Sequence, residues 1–422
     1  VAVNRLRPLV SLVLLLALPA FGRHRAVGSG PVDSPTAWLH QYAIPFEGDL
    51  APLAALTADA RVIALGDATH GTHELFASKQ RLVPFFAARG FRTIAFEAPY
   101  AEFAAIDDYL LHGTGDPAAL IESRRYWFWD TQELLELLLW ARGENARGLT
   151  PPIRVAGVDS TEPFTASRVV LAYLQQVDPA FAYEAEGNYA CLGPGKYTPS
   201  DLCRSLVMAI RPRIVAQRSA YVAATSTEAY EEVLHAARVV EQGEHIEATD
   251  LLARDEVMAE NVQWLLARDG KLLAWGHDEH WGRTPYTLLD PVPIRAAGSY
   301  LAEALGDAYF SLGSVLLEGT FLAVDYTGGI GSINAQTMAP PHPDDVALRF
   351  AEAGTESMIV PLRRALPAWL TGTQHVRIGA SGAPSRERAT LDLVVELGEK
   401  YDAVLFVRRS TPSGVRHWPQ FR

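Results

Sequence analysis

A chain of 422 residues, 49% of them apolar, can bury a sizeable core in one large α/β domain or two modest ones. Its formal net charge of -12, without long basic runs, argues against a nucleic-acid backbone or an anionic membrane surface as the main partner. A neutral or cationic small molecule is compatible with that charge, which by itself selects no substrate and no oligomeric state.

At the N-terminus, Arg5 and Arg7 precede an apolar run from Leu9 to Leu18, followed by the small residues Ala20 and Gly22. The pattern predicts a signal peptide over residues 1–22, and so an exported protein, periplasmic or secreted. The run is short for a transmembrane helix and no later segment is long and apolar enough to span a bilayer, so no stable membrane insertion is expected after cleavage.

Short β-rich runs ending in polar residues follow at Arg61 to Asp67, Phe91 to Glu97, Ile153 to Asp159, Leu272 to Asp278, Tyr309 to Glu318 and Ala403 to Val407, with helical patterns between most of them. This alternation predicts an α/β fold with a largely parallel central sheet flanked by helices. The continuous apolar character of "RVIALG" and "TIAFEA" fits strands covered on both faces. The first part of this core is expected over residues 31–162 and the second over 249–422. Residues 163–248, which carry helical patterns and no strong strand signal, are read as a mainly helical insertion.

The helix after the first run is expected from an N-cap at Thr72 to Gly90, with His73 as a helix-start residue. Leu75, Lys79, Leu82, Val83 and Phe86 share its apolar stripe, so Lys79 is either a snorkelling side chain or an inward cation near the preceding turn. A second helix, "WDTQELLELLLWARGEN", spaces Asp130 and Glu133 as a capping box. Trp127, Trp129 and Trp281 fit either core packing or a binding platform. The two cysteines, Cys191 and Cys203, flank a turn-rich stretch, and in an exported protein they are expected to pair. In "TDLLARDEVMAENVQWLLARDG", Asp255 falls on the stripe of Leu251, Met258, Val262 and Leu265. It either braces a neighbouring polar group or sits at the flank beside Arg254.

In an open parallel sheet, ligands bind outside the carboxyl ends of the strands. Those ends carry Asp67 and His70, Glu97, Asp159, and then His277, Asp278 and His280. Histidine exchanges a proton near neutral pH and an adjacent carboxylate orients its ring, which suits general-base activation of water. A metal site is the competing use, since His277 and His280 with Asp67 or Glu97 are acceptable zinc ligands, although the helical HExxH arrangement is missing. No G-x-S-x-G elbow, G-x-G-x-x-G turn or P-loop occurs.

The segments "ALGDATHGTHEL", "GFRTIAFEA", "WFWDTQELLELLLWARGEN", "VAGVDS", "RDEVMAENVQWLL", "LLAWGHDEHWGR" and "LGDAYFSLG" stand in the order seen in the erythromycin esterase family, which the chain resembles from about Val62 to Leu312. The resemblance implies a hydrolase, without metal or cofactor, whose histidine activates water to attack a macrolide lactone ester. The family's Glu-x-x-His turn matches Asp67 and His70, with His70 as the base. Its acid after the second strand matches Glu97, and its basic residue on the following helix, commonly arginine, matches Lys79. Its His-Asn-x-His loop matches His277, Asp278 and His280. Asp67 is one methylene shorter than the usual glutamate, and Asp278 brings a carboxyl where an asparagine amide is common.

The expected catalytic set is therefore His70, Glu97, Asp67 and His277, with Lys79, His280 and Asp278 holding a small-molecule ester or lactone. A metal-dependent hydrolase, a family member acting on envelope polysaccharide, and a non-catalytic antibiotic- or glycan-binding protein are the alternative readings.

Overall fold

The computed structural model describes residues 34–122, 126–193, 200–248, 252–287, 293–325, 332–379, 382–383 and 389–417. The expected signal peptide, residues 1–22, lies outside the described residues. The strands in chain order are β1 (Ile44–Pro45), β2 (Val62–Asp67), β3 (Thr93–Pro99), β4 (Arg154–Asp159), β5 (Leu272–His277), β6 (Tyr309–Asp325), β7 (Ser332–Thr337), β8 (Ser357–Pro361), β9 (Thr373–Gly379), β10 (Gly382–Ala383), β11 (Thr390–Glu396) and β12 (Ala403–Ser410).

The main sheet runs in the order β1-β8-β12-β6-β2-β5-β3-β4, with β7 and β10 also paired to β6. From β12 to β4 every pair on this path is parallel. Every residue of β2, β3 and β5 is buried, as expected for parallel strands covered by helices on both faces. On this path the antiparallel pairs lie at the far edge, where β8 runs against β12 and β1 against β8, and off it β7 runs antiparallel to β6. A separate ribbon pairs β9 with β11 antiparallel.

All six expected strands form, with boundaries shifted by a few residues. β5 stops at His277, because Asp278 opens a four-residue helix, Asp278–Trp281, whose N-cap is His277. β6 continues past Glu318 to Asp325, its second half pairing with β7. The helix His73–Ala87 buries Leu75, Phe76, Lys79, Leu82, Val83 and Phe86, so the lysine lies inward. Helix Gln132–Ala146 corrects the capping box: its N-cap is Thr131, whose hydroxyl accepts from the Leu134 N–H at 3.2 Å. Glu133 instead accepts from the Gly414 N–H at 3.0 Å and pairs with His73 Nδ1 at 2.6 Å.

Between β4 and β5 the chain is helical. Helices Pro163–Val177, Pro179–Tyr189, Asp201–Met208, Ile210–Ala216, Arg218–Ala224 and Thr227–Ala248 pack around a core of their own that includes Val170, Phe181, Ile214 and Val240. Cys191 and Cys203 form a disulfide within this layer. Helix Arg254–Asp269 then returns to the sheet, packing Met258, Val262 and Leu265 against β2, β3 and β5. Among the described residues no helix is long and apolar enough to cross a membrane.

Candidate active site

The carboxyl ends of β2, β5, β3 and β4 lie side by side and deliver Asp67, His277, Glu97 and Asp159 to one rim. The register between β3 and β4 shifts between Phe96 and Pro99, an irregularity of the kind that re-aims a side chain at a functional edge, and Glu97 sits within it. The turn after β2 carries His70, and the short helix after β5 carries His280.

Glu97 is the hub. Its Oε2 accepts from the His277 N–H at 2.7 Å and lies 3.6 Å from His70 Nε2. Its Oε1 accepts from Arg254 Nη2 at 2.8 Å and lies 3.2 Å from His280 Nε2. Burial opposes charge on this carboxyl, but His280, His70 and Arg254 around it hold it well below the usual carboxylate range. A buried anion is tolerable only with such partners.

The histidines divide by environment. Burial pushes His70 down to about 3 despite the attraction of Glu97, so the ring is neutral near pH 7. It stacks on Phe128 with centroids 4.2 Å apart, and its Nδ1 is buried without a hydrogen-bond partner. Burial also lowers His277, whose ring centroid is 5.3 Å from that of His70. His280 goes the other way. Burial opposes its charge, yet Asp255 and Glu97 raise it to about 10. Asp255 lies 2.9 Å from His280 Nδ1 and also accepts from the Tyr286 hydroxyl at 3.0 Å and the Ala297 N–H at 2.8 Å. The off-pattern acid on the helix stripe thus braces a polar neighbour.

Asp67 and Lys79 form a second, fully buried unit. Lys79 Nζ donates to Asp67 Oδ1 and to the Gly66 carbonyl, the latter at 2.9 Å, while Trp275 Nε1 donates to Asp67 Oδ2 at 2.6 Å. Burial raises the Asp67 carboxyl despite the adjacent lysine. Neither side chain touches the Glu97 group directly in these contacts. Asp278 is also turned inward, with Oδ2 accepting from the Ser314 N–H at 3.0 Å and hydroxyl at 2.8 Å. Its Oδ1 is unpartnered and burial raises the carboxyl to about 8, so it is mainly protonated near neutral pH. The geometry therefore unites His70, Glu97, His277 and His280, and sets Asp67, Lys79 and Asp278 beneath them.

Two glycines make this packing possible. A Cβ on Gly66 would collide with Asp278 Oδ1, and one on Gly276 would lie 2.6 Å from Glu97 Oε2 and 2.9 Å from Trp281 Nε1. Trp127, Trp129 and Trp281 are buried, which makes them packing residues; Trp129 Nε1 also donates to the Glu97 carbonyl at 3.3 Å. His73 lies outside the cluster, half-exposed against Glu133. Sequence reading missed Arg254, which links Glu97 to Asp159 Oδ2 at 2.7 Å. The one linear clue was its position beside the misplaced Asp255. Among the described residues no three His, Cys, Asp or Glu side chains converge as a metal-holding group.

Comparison with known proteins identifies the family and the fold. The family model described as erythromycin esterase matches residues 86–410. An erythromycin esterase type II of Escherichia coli is 26% identical over 350 residues, covering 72% of this chain and 83% of the relative. A Bacillus cereus crystal structure shares the fold with a TM-score of 0.80 at 24% identity, covering 91% of this chain and 98% of that one. A mutant of the erythromycin esterase EreC in its open conformation gives 0.67 at 16% identity, with 89% and 98% covered. With more than three-quarters of its length inside the family model, the chain belongs to the erythromycin esterase family.

Proposed function

We propose that this hydrolase cleaves a carboxylic ester, with a lactone as the leading candidate, by attack of a water molecule that His70 deprotonates. The observation that carries the reading is the pairing of a neutral, buried His70 with an ionised Glu97 at 3.6 Å. Glu97 faces Nε2, which favours the tautomer protonated there and leaves Nδ1, otherwise unpartnered, as the lone pair that takes the proton from water. The imidazolium that forms gains the Glu97 charge as its counter-ion. His280, cationic beside the same carboxylate, supplies positive charge that favours the oxyanion of the tetrahedral intermediate. Asp67 and Lys79 support the turn that carries His70. Export of the protein belongs to the same proposal, supported by the leader pattern and by the disulfide.

The test is hydrolysis by purified protein of a panel of macrolide lactones and simple carboxylic esters, compared with His70→Asn. The variant should lose about a hundred- to ten-thousand-fold in kcat on any ester the parent cleaves, with KM little changed. Near-parental turnover by His70→Asn moves the base elsewhere.

A further inference from the structure

Helix Arg254–Asp269 begins with two residues of opposite charge, and both reach into the site. Arg254 forks onto Glu97 and Asp159, while Asp255 reaches His280 Nδ1 with both oxygens, at 2.9 and 3.1 Å. His280 Nε2 is contested. It lies 3.2 Å from Glu97 Oε1 and 3.0 Å from Arg254 Nη1. A neutral ring protonated on Nδ1 would accept from Arg254, whereas a doubly protonated ring donates to Glu97 instead. The two states cannot share that nitrogen, so the charge on the far side of the ring decides between them.

We propose that Asp255 is a positioning residue that acts through His280: its carboxylate holds the second proton on the imidazole, and so aims Nε2–H at Glu97 and keeps a cation beside the reacting group. Every charged neighbour enters this balance. Arg254, from the same helix, repels the cation; Glu97, on β3, attracts it. Asp159, on β4, offsets Arg254 through their ion pair. His277, 6.5 Å away between ring centroids, and His70, across Glu97, are both lowered by burial. The Tyr286 hydroxyl and the Ala297 N–H fix the Asp255 carboxylate in place, so that it faces the ring without rearrangement. The raised titration of His280, to about 10, agrees with that geometry.

The role in hydrolysis rests on the reading of the site given above; the protonation of His280 does not. The two are separated by following the ring resonances of histidine-labelled full-length protein against pH alongside the pH profile of kcat on an ester the parent cleaves. In the parent, His280 should stay protonated through pH 8, and a midpoint near 6.5 would overturn the proposal without any variant. Asp255→Asn preserves shape and acceptor oxygen but removes the charge. It should lower the His280 midpoint by about one to three pH units. The alkaline limb of kcat should follow it down, with KM little changed. An unmoved midpoint overturns the proposal. A midpoint that moves while kcat does not leaves Asp255 as the holder of the proton and overturns the part of His280 in hydrolysis.

Discussion

Asp278 shows how burial can reverse the meaning of a residue. The resemblance read from the sequence sets a carboxyl where an asparagine amide is expected, and in sequence this reads as an added charge at the site. Packed against Gly66 and Ser314, the group titrates near 8 and is mostly neutral at pH 7, which makes it a close mimic of the amide. The sign for stability follows from the raised value. Asp278 binds its proton in the folded protein where the unfolded chain has already released it, so its contribution is full below about 4 and is lost as pH rises through about 8. Asp278→Asn should match the parent in Tm at pH 4 and exceed it by a margin that grows to pH 8 and then levels, as read by thermal unfolding across that range. Its activity at pH 7 should stay within a few-fold. The residues of the site were legible because they stand at strand ends. Their protonation was not, since it depends on neighbours as far as 180 positions away in the chain.

At the level of elements, period and punctuation served well where a strand is buried on both sides or a helix has a clear stripe. The six runs read as strands all form, and of the two readings that the stripe of helix His73–Ala87 left open for Lys79 the structure shows the inward one. The helix start at Thr131 was misplaced by one residue because Asp130 and Glu133 carry the same spacing signal as a capping box, while tertiary contacts claim both carboxylates. Asp130 goes to His417 and Arg416, and Glu133 to His73 and Gly414. Thr131→Ala removes the hydroxyl that caps the helix and should cost about 1 kcal/mol in urea-induced unfolding, with kcat unaffected. Arg254, noticed only as a flank neighbour of Asp255, was not placed in the site for a related reason: a cation in the first turn of a helix reads as a solvated flank, and nothing in linear spacing joins residue 254 to residues 97 and 159. The short β8 was missed because five residues of apolar sequence do not distinguish an edge strand from a buried loop.

Across the whole molecule, the parallel centre was readable from alternation, but the order of the strands was not. β2 sits between β5 and β6, so the chain leaves it in one direction to β3 and returns from β5 in the other. That reversal lies where the acids and histidines meet, at the carboxyl ends of the strands, the general position of ligand sites in such sheets. The helical layer joins this core through helix Arg254–Asp269, and its disulfide closes a loop of 12 positions. Replacing Cys191 and Cys203 with serine should lower stability by about 3 kcal/mol, seen as a reductant-insensitive drop in Tm, while parent protein shows that drop only with reductant.

The two glycines at the strand ends limit how such a site can be altered. Gly66 and Gly276 stand on neighbouring strands, and each is pressed against a buried acid, Asp278 and Glu97 respectively. Randomising both codons should return glycine almost exclusively among active clones, because even alanine displaces the carboxyl it touches. A lineage under selection for a new substrate therefore has no room to vary these two positions. Its heritable variation is confined to the surrounding loops and helices, while the two glycines and the carboxyls they touch are inherited as a block.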